Sequence, residues 1–178
     1  MANYYLYIVE GKTEHVFVDA YKNDIIWAGK VEVFNLWNND ISKIKRKIKP
    51  RTTAICILDI DVMKNIERLN ANLKVLEKLS VIAKVIVLIQ YKNFEDEIVG
   101  ASANIKHIRD IYGSKKDFKS LFCAERDVKN KLSKISFDIN KMWQFHEDIK
   151  VQIPHQTIND IQINRDKKQS KIKLSQSK

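Results

Sequence analysis

A chain of 178 residues is long enough for one domain with a full core, or for one domain and a small appendage. Its 44% apolar and 30% charged content excludes a fibrous or membrane-embedded protein, and no apolar run reaches the roughly 18 residues of a membrane span. The net charge of +10 suggests a polyanionic partner such as nucleic acid, though the Lys-rich usage of an A/T-rich genome would produce the same excess.

The N-terminus enters the apolar run "YYLYIV" without a basic leader or a small-residue cleavage site, and the two cysteines make no disulfide framework or metal-ligand spacing. A reducing, cytoplasmic setting is the expectation. After this first strand, Thr13 is a candidate N-cap with Glu14 in the first turn, and Val16, Phe17, Ala20 and Tyr21 recur at helical spacing. "VEVFNL" from Val31 reads as a second strand. Ile41, Ile44 and Ile48 form a helical stripe closed by Pro50, with basic side chains on the other face. "TTAICILDID" is the third strand, the stripe Ile66, Leu69, Leu73 and Leu76 the next helix, and "VIAKVIVLIQ" the fourth strand.

Continuous apolar strands alternating with helices predict an α/β fold with a parallel four-stranded sheet covered on both faces. Beyond Gln90 the pattern becomes a series of short helices, "NFEDEIV", "ANIKHIRDIYG", "KKDFKSLF", "ERDVKNKLSKI" and "FDINKMWQF". The expected organisation is a core over 1–91, a small α-helical C-terminal extension packed on it over 92–150, and a basic, flexible tail over 151–178. No internal repeat is present.

The stretch "IVEGKTE" poses the first functional question. A phosphate-binding loop needs a glycine five residues before its final Gly-Lys pair, and that position is Leu6, in mid-strand. The loop is absent, which leaves Glu10 as the feature. It stands where the first strand ends, at the edge where parallel sheets bind ligands. Asp59 and Asp61 close the third strand in "LDID", and alternation turns both to one side. If the first and third strands are neighbours, the three carboxylates share a cleft. A hard divalent cation is the simplest partner for them, although a turn or helix cap also accounts for an isolated Asp-x-Asp.

This pairing resembles the Toprim domain, the catalytic module of topoisomerases, bacterial primases and the overcoming-lysogenization-defect (OLD) and RloB-like nucleases. The resemblance covers roughly residues 3–90, and "VEG.TE" is nearest the OLD and RloB-like branch. It implies a Toprim-like (Rossmann-like) sheet. It also implies Glu10 as general acid/base or metal ligand, with Asp59 and Asp61 holding Mg2+ (or Mn2+) for phosphodiester cleavage or transfer. Some nuclease branches carry further acids after the fourth strand. Glu95 is then the first choice for an extra metal or supporting residue, with Glu97 and Glu14 behind it; acids favoured at a helix start explain the same positions. RNA, and tRNA in particular, is a substrate by analogy only, as is a role in bacterial or phage defence.

Lys12 is a candidate phosphate contact or a plain counter-charge. Six basic residues fall within nine positions, namely Lys43, Lys45, Arg46, Lys47, Lys49 and Arg51. Lys167, Lys168, Lys171 and Lys173 lie in the tail, which carries a net +5 from Lys150 onward (seven basic, two acidic). Both blocks are expected to hold a nucleic-acid backbone. The four histidines read as surface or half-buried residues, and Trp143 and Phe145 as core of a last helix in preference to a base-stacking platform. Rival readings are a non-catalytic nucleic-acid-binding protein and a nucleotidyl-transfer enzyme. The chain shows no ATPase or strand-passage module, so control would come from a protein partner or from a homodimer through the C-terminal helices.

Overall fold

The computed structural model of the chain describes residues 4–22, 25–60, 65–90, 92–113, 117–143 and 162–163. Five parallel strands form one sheet in the order β2-β1-β3-β4-β5: β1 (Tyr4–Val9), β2 (Gly29–Val33), β3 (Thr52–Asp59), β4 (Lys84–Gln90) and β5 (Gln162–Ile163). The sequence pattern predicts four of these. The fifth is two residues from the expected tail, paired parallel to Ile86 and Val87. Its brevity and lack of an apolar run hide it from periodicity arguments.

Both sheet faces are buried, which is why the strands are apolar at successive positions. On one face Tyr7, Val9, Ile55, Ile57, Ile86 and Leu88 pack with Phe17, Val18 and Tyr21 of α1 (Lys12–Tyr21). The same core takes in Phe94 and Ile98 of α3 (Phe94–Gly100), Phe118 and Phe122 of α4 (Phe118–Cys123), and Val128 and Leu132 of α5 (Val128–Ser133). On the other face Leu6, Ile8, Ala54, Cys56, Leu58, Val85 and Val87 pack with Leu69, Leu73 and Leu76 of α2 (Ile66–Ser80). Each fully buried Leu, Ile or Phe contributes roughly 1.5–3 kcal/mol relative to exposure. A one-residue slip in any central strand would exchange the two faces.

Gly29 lets β1 and β2 approach. A Cβ there would meet the Tyr5 carbonyl oxygen at 2.6 Å and its Cβ at 2.8 Å. Tyr5 in turn stacks on Trp27, with ring centroids 5.3 Å apart.

Four local expectations are corrected. The stripe Ile41, Ile44, Ile48 is buried as predicted, but two short 3-10 turns, Ile41–Lys43 and Lys45–Lys47, carry it in place of an α-helix. The three-residue step from Ile41 to Ile44 also fits the 3-10 repeat, and the crowded cations at Lys43–Lys49 repel along an α-helical face. "ANIKHIRDIYG" and "FDINKMWQF" likewise hold 3-10 turns, at Ile108–Ile111 and Ile139–Lys141. Trp143 is core, as expected, but it sits at φ 54 outside any helix; Phe145 lies outside the described residues. Finally, the N-cap of α1 is Gly11, and Thr13 is buried within the first turn.

The path of the chain sets the cleft. α1 leads from β1 to β2 on one face, and the segment from Phe34 to Arg51 returns across the other face to β3. The chain leaves β1 for α1 on one face and leaves β3 for α2 on the other, toward opposite sheet edges, which opens a crevice at the carboxyl ends of these neighbours.

Candidate active-site cleft

The crevice is a cleft of about 540 Å³. Glu10, Gly11, Lys12, Thr13 and Glu14 line it from the junction of β1 and α1, Asp59 from the end of β3, and Asn35 from the turn after β2. α4 supplies the remaining wall with Lys119, Ser120 and Cys123. The expected meeting of Glu10 and Asp59 is therefore observed: β1 and β3 pair directly, and both carboxylates face one space. Asp61 lies outside the described residues, as do Lys167, Lys168, Lys171 and Lys173.

Each carboxylate has a distinct setting. Glu10 Oε2 accepts a hydrogen bond from Asn35 Nδ2 at 3.1 Å. Glu14 is only 6% exposed, and burial pushes its carboxyl above the usual glutamate range. Its own backbone N–H opposes that shift, the Glu95 charge adds to it, and Lys119 and the Gly11 N–H oppose it further. Glu14 is thus the helix-start acid reaching back to its N-cap, and at the same time a cleft residue. Gly11 leaves room for it: a Cβ there would stand 3.0 Å from Glu14 Oε2.

Glu95 and Glu97 diverge. With Phe94 and Ile98 in the core, Glu95 is half-buried and pairs with Lys119 at 3.3 Å. Glu97 is buried, and its Oε2 accepts the Trp143 backbone N–H at 2.9 Å. Neither lines the cleft, but Glu95 is joined to its wall through Lys119.

Lys12 is exposed on the cleft rim. The block Lys43, Lys45, Arg46, Lys47, Lys49 and Arg51 is also exposed, with Lys47 paired to Glu32 at 2.7 Å, and none of it lines the cleft. Arg51 precedes the first residue of β3 and Asp59 is its last, so the block runs to the opposite sheet edge, roughly 25 Å away at the strand rise. His15 is half-buried and His107 exposed, as expected; His146 and His155 lie outside the described residues. Cys56 is fully buried, which pushes its thiol up to about 12 and leaves it a small hydrophobe.

Sequence reasoning misses Asn35, Lys119, Ser120 and Cys123. The one available signal for α4 is the Phe118–Phe122 pair, whose burial leaves 119, 120 and 123 on other faces. It also misses Gln90, the register partner of Asp59. The Gln90 amide is fully buried, with neither its nitrogen nor its oxygen bonded among the described residues.

The carboxylates able to hold a hard cation here are Glu10 and Asp59; Glu14 lines the same cleft but keeps its proton more readily, and Gln90, beside Asp59 in register, does not line it. Among the described residues no three His, Cys, Asp or Glu side chains converge as a ready-made cage. That donor set fits Mg2+, which usually takes one or two carboxylates and fills its shell with water and substrate oxygens. No helix among the described residues is long and apolar enough to cross a membrane. Comparison of the chain with protein-family models, curated proteins and solved structures finds no match, so the reading of the cleft rests on its own chemistry.

Proposed function

We propose that the protein is a Toprim-type, Mg2+- or Mn2+-dependent nuclease that cleaves phosphodiester bonds, with RNA favoured over DNA by analogy. The observation that carries this reading is the convergence of Glu10 and Asp59 from adjacent strand ends on one cleft with a cationic wall. Glu10 and Asp59 would hold the cation, with Asp61 continuing the same strand end. Such an ion supplies charge neutralisation at the phosphate and a more acidic bound water.

The chain's own groups account for the rest. Lys119 and Lys12 lie on the cleft lining as cations for non-bridging phosphate oxygens. Glu14 retains a proton to higher pH than an exposed glutamate, which suits a donor to a departing oxygen. The exposed block from Lys43 to Arg51 would hold flanking backbone away from the cut. No base-reading motif is present, so selectivity would come from substrate shape or from a partner.

The test is incubation of the purified protein with labelled tRNA, a structured RNA, and single-stranded and supercoiled DNA, each with Mg2+, Mn2+ or chelator. Metal-dependent cutting of one class is expected. Binding of polymers without any cutting would favour a non-catalytic nucleic-acid-binding protein, and turnover of mononucleotides alone would favour nucleotidyl transfer.

A further inference from the structure

One turn, Asn35–Asn38, touches both strand ends of the cleft. Asn35 Oδ1 accepts the backbone N–H of Trp37 at 2.9 Å and of Asn38 at 3.0 Å. These two donors determine how the amide points, because its nitrogen in that place would confront N–H groups. Nδ2 therefore faces the other way, and donates to Glu10 Oε2 at 3.1 Å. Two residues further on, the buried Trp37 ring donates from Nε1 to the Asp59 carbonyl oxygen at 2.8 Å.

The turn is itself anchored from behind. Asn72 on α2 is 1% exposed; its Nδ2 donates to the carbonyls of Leu36 at 2.7 Å and Asn39 at 2.8 Å. Its Oδ1 accepts the Ile41 N–H at 2.9 Å. A rigid helix thus holds the turn, and the turn holds β1 and β3 at the ends that carry the carboxylates.

We propose that Asn35–Asn38 is a positioning brace, in which Asn35 orients the Glu10 carboxylate and Trp37 sets the end of β3 that carries Asp59. The inference rests on the reading that these two acids act together on a phosphodiester. A glutamate side chain has several rotatable bonds through which its carboxylate can be misplaced. A hydrogen bond from a fixed turn narrows that range, and catalysis is sensitive to such small errors in placement.

Two variants separate the brace from a turn that merely closes the crossover. Asn35→Asp keeps the oxygen that closes the turn but sets a second carboxylate oxygen against Glu10. Adding Glu10→Gln restores a donor–acceptor pair with its roles exchanged. Thermal unfolding of the full chain, without metal or nucleic acid, is compared for wild type, both single variants and the double. Asn35→Asp is expected to lower Tm by about 2–4 °C, and the double variant to recover most of that loss. Additive changes in Tm would overturn the pairing of Asn35 with Glu10.

Asn35→Ser keeps an oxygen for the turn and is too short to reach Glu10. Its kcat on the polymer that the wild type cuts is expected to fall about tenfold at unchanged KM. Wild-type turnover in this variant would overturn the positioning role. If the wild type cuts nothing, the nuclease reading fails by itself, and the Tm cycle alone decides the brace.

Discussion

The Lys119 ammonium stands 3.3 Å from the Glu95 carboxylate, on the α4 wall of the cleft that Glu10 and Asp59 line. Partial burial, the largest single influence, works to lower its proton affinity, but the Glu95, Glu14 and Asp59 carboxylates together outweigh it. The ammonium therefore holds its proton above the ordinary lysine range, and its charge is complete at neutral pH. Its contribution to stability is present below the ordinary lysine value and is lost only as pH rises through the raised one.

The Lys119 side chain is 64% exposed, so after screening the pair contributes no more than about 0.5 kcal/mol. Lys119→Met should change Tm by under about 2 °C and lower kcat/KM about tenfold. A large Tm loss with unchanged turnover would make Lys119 a structural residue only.

Glu14 gives a pH signature of the same sign, in the carboxylate range instead of the lysine range. Its folded-state carboxyl holds a proton to higher pH than the unfolded chain does, so its contribution to stability falls as pH rises through that window. Glu14→Gln removes the cost of ionising in a buried place and keeps an oxygen for the Gly11 N–H. The variant should melt about 2–4 °C above wild type at pH 8, and level with it near pH 4. Thermal scans across that range decide the matter; a variant less stable at pH 8 would contradict the burial argument.

Glu95 and Glu97 are two residues apart, yet they should fail differently. Glu97→Ala leaves the Trp143 N–H buried without its acceptor, which costs about 1–3 kcal/mol and lowers Tm by roughly 5 °C. Glu95→Gln should leave Tm within about 2 °C while reducing cleavage through the released Lys119. Denaturation and cleavage assays on the two variants would show the exchange, and equal Tm losses would refute it.

The basic block acts through charge alone. The triple variant Lys45→Gln, Arg46→Gln, Lys49→Gln should raise KM for a polymer substrate. It should also flatten the salt dependence of binding by about 0.7–0.9 in log–log slope for each phosphate that the variant no longer neutralises. Titration between 50 and 200 mM salt, roughly the range over which such binding weakens, measures this. An unchanged slope would mean that the nucleic acid does not touch this surface.

Much of the sheet is legible because buried parallel strands are apolar at every position, as "TAICIL" is. Glu10 and Asp59 are legible because charge breaks such runs at their carboxyl ends. The cationic wall is not. Nothing near Lys119 in the chain indicates that α4 reaches the ends of β1 and β3, since that follows from packing of Phe118 and Phe122 on the shared core. Asn35 reads as an ordinary turn former, and only the fold shows that its amide faces Glu10. The stripe at Ile41, Ile44 and Ile48 predicts which side chains are buried but not the helix type, because hydrophobic spacing records a face and not a hydrogen-bond ladder.

The most direct test of the central claim is the single-turnover cleavage rate of the preferred polymer with saturating Mg2+ for wild type, Glu10→Gln and Asp59→Asn. Both variants should fold with wild-type circular dichroism and lose at least about a hundredfold in rate, and chelator should abolish wild-type cutting. Cleavage that persists in both folded variants would place the chemistry elsewhere and contradict the assignment of this cleft.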